Sequence, residues 1–485
     1  MLTRYAMTNC PDLPVCTPGL GESTWLALVT VDRLLTVLQA RPSLSSNAVP
    51  TQKDSSLAES TDTHSSGVDT PVEPPRTFAG KLRFIGPGIV VAASGVGAGD
   101  FVMATIAGTS YGWSLMWAIV AGAGIKLVLS EGIGRWHLAS GQSFLRGWHS
   151  LGWWATAYFG VYLLFFAIIY GAAEPSICAL ILTAMFPGTP FALWAILSSL
   201  AGFILVWFGR YSLVEKAMTV LIGVMFVTVV GSAAVVLANL GDISYSLTPS
   251  MPTGSFSRIL AVIGGVGGTI TLTCYSYWIA AKGWRGKKWV GMMRADISTA
   301  YVLTGIFAIA VLIVAAELLF GTGITISGNE GLVKLAEAYG DRFGSIARWV
   351  LLIGVWAAVF TSIVGPWHGC SYLFADFVRI VRNRKAGLDT VKPPSDKGLS
   401  FRAYLALMTF PPMLLLLFNT PVVLIIIYGI AGAIFMPVLA FALLLLLNSR
   451  RVDTEHRNRT ITNVLLCAII ALFIYLGVSQ LMETV

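Results

Sequence analysis

Between residues 84 and 482 the chain carries eleven apolar segments, each near the roughly 20 residues a helix needs to cross the hydrocarbon of a bilayer. Their limits are about 84–109, 112–134, 153–184, 190–208, 212–238, 257–281, 297–320, 346–373, 402–418, 421–447 and 461–482. Lipid offers no partner to backbone N–H and C=O groups, so such segments satisfy them internally as helices. The expected fold is an all-α polytopic membrane protein. Charged residues make up only 12% of the chain, against about 25% in soluble domains.

The formal net charge of +8 does not point to nucleic acid, because the basic residues sort by loop. Twenty Lys and Arg residues fall in the even-numbered loops, from Arg135 to Arg459, and four (Arg258, Lys334, Arg342 and Arg348) in the opposite ones. Basic loops stay cytoplasmic, which places the N-terminus inside and, with eleven spans, the C-terminus outside. The plasma (inner) membrane is the expected location. Residues 1–80 are rich in Ser, Thr, Pro and Asp and read as a disordered cytoplasmic tail ahead of a transporter-like domain at 81–482. The apolar run at 24–39, interrupted by Asp32 and Arg33, reads as an interfacial helix. Cys10, Cys16, Cys178, Cys274, Cys370 and Cys467 show no CxxC pair or zinc spacing.

One carboxylate stands out. Asp100 lies in the first apolar segment among Gly95, Gly97 and Gly99, where an aspartate costs about 2.5 to 3.5 kcal/mol and calls for a cationic partner. Glycine weakens the helix and frees backbone carbonyls to face a ligand. The sixth segment is interrupted in the same way, through IGGVGGTITLTCYSYWIAA, five spans later. Interrupted helices at matching places in two halves imply an inverted repeat with a site at the midplane. The repeats are expected at about 84–238 and 257–447, with 461–482 as an added helix. Glycines that merely allow close helix packing are the plainer account, but that account leaves Asp100 unexplained.

These residues resemble the NRAMP divalent-metal transporter family, whose first helix carries GPG and then a DPGN break and whose sixth carries an MPH break. Gly86, Pro87 and Gly88 match the GPG, and Gly97, Ala98, Gly99 and Asp100 take the DPGN positions. The resemblance runs from about residue 80 to the end of the chain and includes Tyr111 with Gly112, Ser140 with Gly141, residues 209–215 and Glu174. It implies a LeuT-like five-plus-five fold with discontinuous first and sixth helices and alternating access. The chain departs from the family where ligands are expected. Gly97 stands for the metal-binding Asp and Asp100 for the Asn, while Thr271, Leu272 and Thr273 replace Met-Pro-His.

Loss of the thioether moves the donor set toward hard oxygen ligands, which suit Mg, Ca or Mn. Mg2+ keeps several waters and is held by one or two carboxylates. The resemblance is therefore to the NRAMP-related magnesium transporters, with Asp100, the Gly97 carbonyl, Thr271 and Thr273 as the expected ligands. The cation is cargo and the bilayer a partner; no resident cofactor and no nucleic acid are implied. The sixth span has no histidine, which favours movement without proton coupling, since membrane proton relays use Asp, Glu and His. Glu174 is the candidate proton or pathway residue, and pairing with a hydroxyl or backbone group is its equal alternative. A proton-coupled Mn2+/Fe2+ transporter and a carrier of a small organic amine or amino acid, bound between Asp100 and Tyr275, Tyr277 and Trp278, are the competing functions.

Other polar residues have simpler accounts. Glu131 is expected to pair with Arg135 at i+4, and Lys126 to snorkel or pair with Glu131. Glu317 reads as an interfacial carboxylate, Cys274 as a small apolar residue and His368 as a packing residue beside Tyr372. Trp284, Trp289, Trp153 and Trp154 read as interfacial anchors. No Ser-His-Asp, HExxH or P-loop pattern supports an enzyme.

Overall fold

In the computed structural model the described residues are 74–75, 86–209, 211–239, 252, 256–323, 329–382, 395, 398–417 and 421–484. The chain divides into units Met1–Asp69 and Thr70–Val485, and the description below concerns the second. The expected disordered tail, the apolar run at 24–39, Cys10 and Cys16 lie outside the described residues.

Each of the eleven apolar segments coincides with a helix or a pair of helices. The first is a pair, α1 (Pro87–Gly95) and α2 (Ala98–Tyr111). There follow α3 (Met116–Ser140), a short α4 (Phe144–His149), α5 (Trp153–Met185) and α6 (Phe191–Phe208). The fifth segment runs from α7 (Tyr211–Met225) through a π turn at Phe226–Val230 into α8 (Gly231–Ala238). The sixth is again a pair, α9 (Phe256–Gly265) and α10 (Thr271–Ala281). The rest are α11 (Val290–Leu319), α12 (Asn329–Phe343), α13 (Ser345–Arg382), α14 (Leu399–Leu416), α15 (Pro421–Leu447) and α16 (Thr460–Thr484). The helix α12 was not anticipated from the sequence, because it is too polar to count as a span.

Both interruptions have local causes. Pro87 opens α1, where its fixed φ suits a first helical turn. Val96 and Gly97 are extended between α1 and α2. In the sixth segment Gly267 and Gly268 have φ of +79° and +81°, a conformation that favours glycine and ends α9 before α10 can start. Gly108 brings α2 against α11: a Cβ there would sit 2.6 Å from the Leu312 carbonyl oxygen.

At one end of the bundle, where α3 and α10 finish, charged groups tie the helices together. Lys282 pairs with Glu215 at 2.6 Å, and Glu131 receives Arg135 at 3.1 Å and Arg294 at 2.9 Å. Arg135 also donates to the His456 carbonyl and to Asn458 Oδ1, which draws the segment before α16 onto α3. Two fully buried carboxylates add to this. Asp296 on α11 accepts from Tyr275 Oη at 2.9 Å and from the Gly86 amide at 3.3 Å. Asp376 on α13 accepts from Tyr277 Oη at 2.8 Å, Ser143 Oγ at 2.7 Å and Arg379 Nε at 3.0 Å.

The structure corrects the interfacial reading of two tryptophans. Trp284 and Trp289 are buried and stack on each other at 5.0 Å between centroids, whereas Trp153 and Trp154 are exposed. Both tyrosines after the sixth-segment break point their hydroxyls at carboxylates of neighbouring helices. Tyr277→Phe would strip a donor from a buried carboxylate, a loss of about 1 to 3 kcal/mol. Its thermal unfolding temperature in detergent should therefore fall by several degrees, while Trp153→Phe, at an exposed position, leaves it unchanged.

Candidate ion site at the two helix breaks

Asp100 belongs to the first turn of α2 and is fully buried. Its Oδ2 accepts from the Gly97 amide at 3.4 Å, so the carboxylate reaches back to the N-cap N–H of α2. Its Oδ1 accepts from the Gly267 amide at 3.1 Å, so one carboxylate bridges the breaks of the first and sixth segments. The arrangement suits a negative group twice over. The N-terminus of α2 carries partial positive charge, and the exposed amide of the second break adds a donor.

Gly97 is the N-cap of α2, and its carbonyl accepts from the Phe101 amide at 3.0 Å. It also sits where a side chain would not fit. A Cβ on Gly97 would overlap Ser362 Cβ and Oγ and lie 3.1 Å from Glu174 Oε2. Glu174 on α5 accepts from the Ala98 amide at 3.1 Å and from the Ser362 hydroxyl. It is thus a second carboxylate on the N-terminus of α2, bonded to a hydroxyl and a backbone amide. Tyr170 Oη, one turn before Glu174, donates to the Ser362 carbonyl at 2.8 Å and fixes α5 against α13.

Thr271 and Thr273 lie in the first turn of α10, just past the break, and both are buried. The Thr273 hydroxyl donates to the Ile270 carbonyl at 2.6 Å, which leaves its oxygen lone pairs to accept or coordinate. Glycine at 268 keeps room for the Thr271 hydroxyl, which a Cβ on Gly268 would strike. Among the described residues, no group of three or more His, Cys, Asp or Glu side chains is placed to hold a metal.

Lys126 departs from its expected place. It neither snorkels nor turns to Glu131: it is fully buried, and its Nζ donates to the Gly264 carbonyl at 3.0 Å and to the Gly268 carbonyl. Gly264 is in the last turn of α9, where carbonyls lack helical partners and carry partial negative charge. Asp100 and Lys126 bind the same break, the carboxylate at the Gly267 amide and the ammonium at the Gly264 and Gly268 carbonyls. A cationic side chain is thus placed at the break to which Asp100 is bonded. Sequence reasoning missed this because Lys126 and Gly268 are 142 residues apart. A single lysine in the middle of an apolar span was the one signal that could have found it.

The remaining polar residues near the site are engaged elsewhere. Glu131 pairs with Arg135 as expected and also with Arg294. Glu317 accepts from Trp113 Nε1 at 2.7 Å, Cys274 lies 3.9 Å from Cys370 Sγ in the core, and His368 packs edge-on against Tyr372 at 4.9 Å. Trp278 is buried beside Gly369. At the opposite end from the basic cluster, a cavity of about 500 Å3 opens among Thr109, Tyr111, Arg258 and Phe320. Thr109 stands nine residues beyond Asp100 on α2, about 13 Å at 1.5 Å per residue.

Two discontinuous helices that meet around a buried carboxylate, inside a bundle of apolar spans, define a membrane transporter of the LeuT-like class. The chain belongs to the Nramp family (natural resistance-associated macrophage protein-like), whose pattern matches residues 88–483. Membership supports divalent-metal transport and makes the protein a transporter, not an enzyme. An uncharacterised protein of Pasteurella multocida is 23% identical over 320 residues, 64% of this chain and 73% of that protein. Among solved structures, a manganese transporter of Eremococcus coleocola superposes with a TM-score of 0.67 at 14% identity, covering 86% of this chain and 90% of that one. MhsT in complex with L-phenylalanine superposes with a TM-score of 0.56 at 16% identity, covering 81% and 97%. At these identities the two structures speak to the fold alone.

Proposed function

We propose that the chain carries a hard divalent cation across the membrane by alternating access, with Mg2+ preferred and no proton coupled to it. The observation that carries this reading is Asp100, a buried carboxylate bonded to both helix breaks in a chain of the Nramp family. Asp100 supplies the charge, and the Gly97 carbonyl and the Thr271 and Thr273 hydroxyls supply neutral oxygens. A set with one carboxylate and no thioether or imidazole favours an ion that retains water. The likeness in fold to a manganese transporter keeps Mn2+ as the second cation to test.

Glu174 is read as a helix-capping carboxylate and not as a proton carrier, on the strength of its bonds to Ala98 and Ser362. The repeats at about 84–238 and 257–447 rock against each other, with the N-terminus cytoplasmic and the C-terminus outside. The basic end, closed here by the Lys282, Glu131, Asp296 and Asp376 contacts, is then the cytoplasmic gate. An organic amine is disfavoured, because the hydroxyls of Tyr275 and Tyr277 are held by Asp296 and Asp376. Calorimetric titration of the purified protein with Mg2+, Mn2+, Ca2+ and small amines tests the substrate class. Mg2+ binding that weakens in the order Mg2+, Mn2+, amines is expected, and binding of amines alone would overturn the proposal.

A further inference from the structure

We propose that Lys126 is a tethered cation that occupies the carbonyl oxygens of the sixth-segment break when no ion is bound, so that the transported cation enters only by displacing it. This rests on the divalent-cation reading above and adds the residue that sets the site's affinity. Its ammonium reaches from α3 to the Gly264 and Gly268 carbonyls, which flank the Gly267 amide bound to Asp100. Both carbonyls suit a cation: Gly264 lies in the last turn of α9, where carbonyls lack helical partners, and Gly268 lies in the left-handed turn beyond it. A metal ion approaching Asp100 and a protonated lysine compete for the same negative ground.

The surroundings hold the lysine in that position. A Cβ at Gly267 would lie 3.5 Å from Lys126 Cγ, so the aliphatic stem packs along the break itself. One turn further along α3, the Ser130 hydroxyl bonds Tyr301 Oη of α11 at 2.8 Å, and a Cβ at Gly267 would meet the same tyrosine ring at 2.9 Å. The helix that carries Lys126 is thus registered against the break by a second polar contact. While the ammonium bridges the end of α9 to the residues just before α10, it also fixes the angle between the two half-helices. Displacing it releases that angle, which links ion entry to movement of the break.

The test compares wild type, Lys126→Met, Lys126→Gln and Lys126→Arg, titrated with Mg2+ and Mn2+ by calorimetry, alongside unfolding temperatures with and without each ion. Removing the competitor should tighten divalent binding at least tenfold in Lys126→Met. Lys126→Gln, which keeps a hydrogen-bond donor for the carbonyls and serves if the methionine variant does not fold, should tighten it in the same direction. Lys126→Arg should stay near wild type or weaker. The ion-free unfolding temperature of the neutral variants should fall while the shift caused by the ion grows. Wild type that binds Mg2+ with neutral variants of equal or weaker affinity would overturn the role of Lys126 and leave the transport reading standing. No divalent binding by wild type or by any variant would overturn both.

Discussion

Asp100→Asn should abolish divalent-cation uptake into proteoliposomes, with a fall of at least about a hundredfold, or about 2.8 kcal/mol of lost interaction with the ion. Asparagine keeps the shape of the side chain but only one oxygen, so it can accept from the Gly267 or the Gly97 amide and not from both. The charge is removed together with one of the two accepting oxygens. Alanine would be a poorer probe. It would leave both the Gly97 and the Gly267 amides without the oxygen that accepts from them, and a buried donor left unsatisfied costs about 1 to 3 kcal/mol. A well-folded Asp100→Asn protein that transports at the wild-type rate would show that the carboxylate is structural.

Gly97→Ala is expected to cost both folding and transport. The φ of Gly97 is −151°, extended backbone that alanine adopts without strain, so the effect is purely one of space. The new methyl would overlap Ser362 Cβ and Oγ, a short side chain on α13 that has no room to swing aside because its hydroxyl is held by Glu174. Overpacking of this kind costs about 1 to 3 kcal/mol, and here it pushes α13 away from the first break. The unfolding temperature should drop by several degrees and uptake by at least tenfold. Pairing it with Ser362→Gly restores the space and should recover much of the lost stability, although Glu174 then loses the Ser362 hydroxyl. A single Gly97→Ala variant with wild-type stability and uptake would contradict the packing described at the break.

The spans and both breaks could be read from the sequence because they depend on local chemistry. Long apolar runs give the helices; Gly267 and Gly268 interrupt the sixth segment where a positive φ favours glycine, and Gly97 the first where a side chain has no room. Asp100 was visible for the same reason, as a charge in an apolar run. What the sequence hid were partners far apart in the chain. Lys126 meets Gly264 and Gly268 over more than 130 residues, and Glu174 meets Ser362 over 188. Asp296 and Asp376 escaped notice because each lies next to an arginine-bearing loop and reads as an ordinary span end. Only the fold shows that Tyr275 and Tyr277 turn both into buried acceptors. Trp284 and Trp289 misled for a related reason: an aromatic residue near a loop suggests the interface, yet these two stack inside the bundle.

The balance of charge at the centre also changes how the site is understood. A buried aspartate alone would be an open invitation to a cation, but Asp100 already has an ammonium nearby. Any ion that binds must therefore compete with an internal charge.

The most direct measurement is ion flux into proteoliposomes with Mg2+, Mn2+ and Ca2+ in turn, recorded together with internal pH and under an imposed membrane potential. The account predicts uptake fastest for Mg2+, driven by a negative interior, absent in Asp100→Asn and accompanied by no change of internal pH. Uptake of none of the three ions, or uptake unchanged in Asp100→Asn, would contradict it.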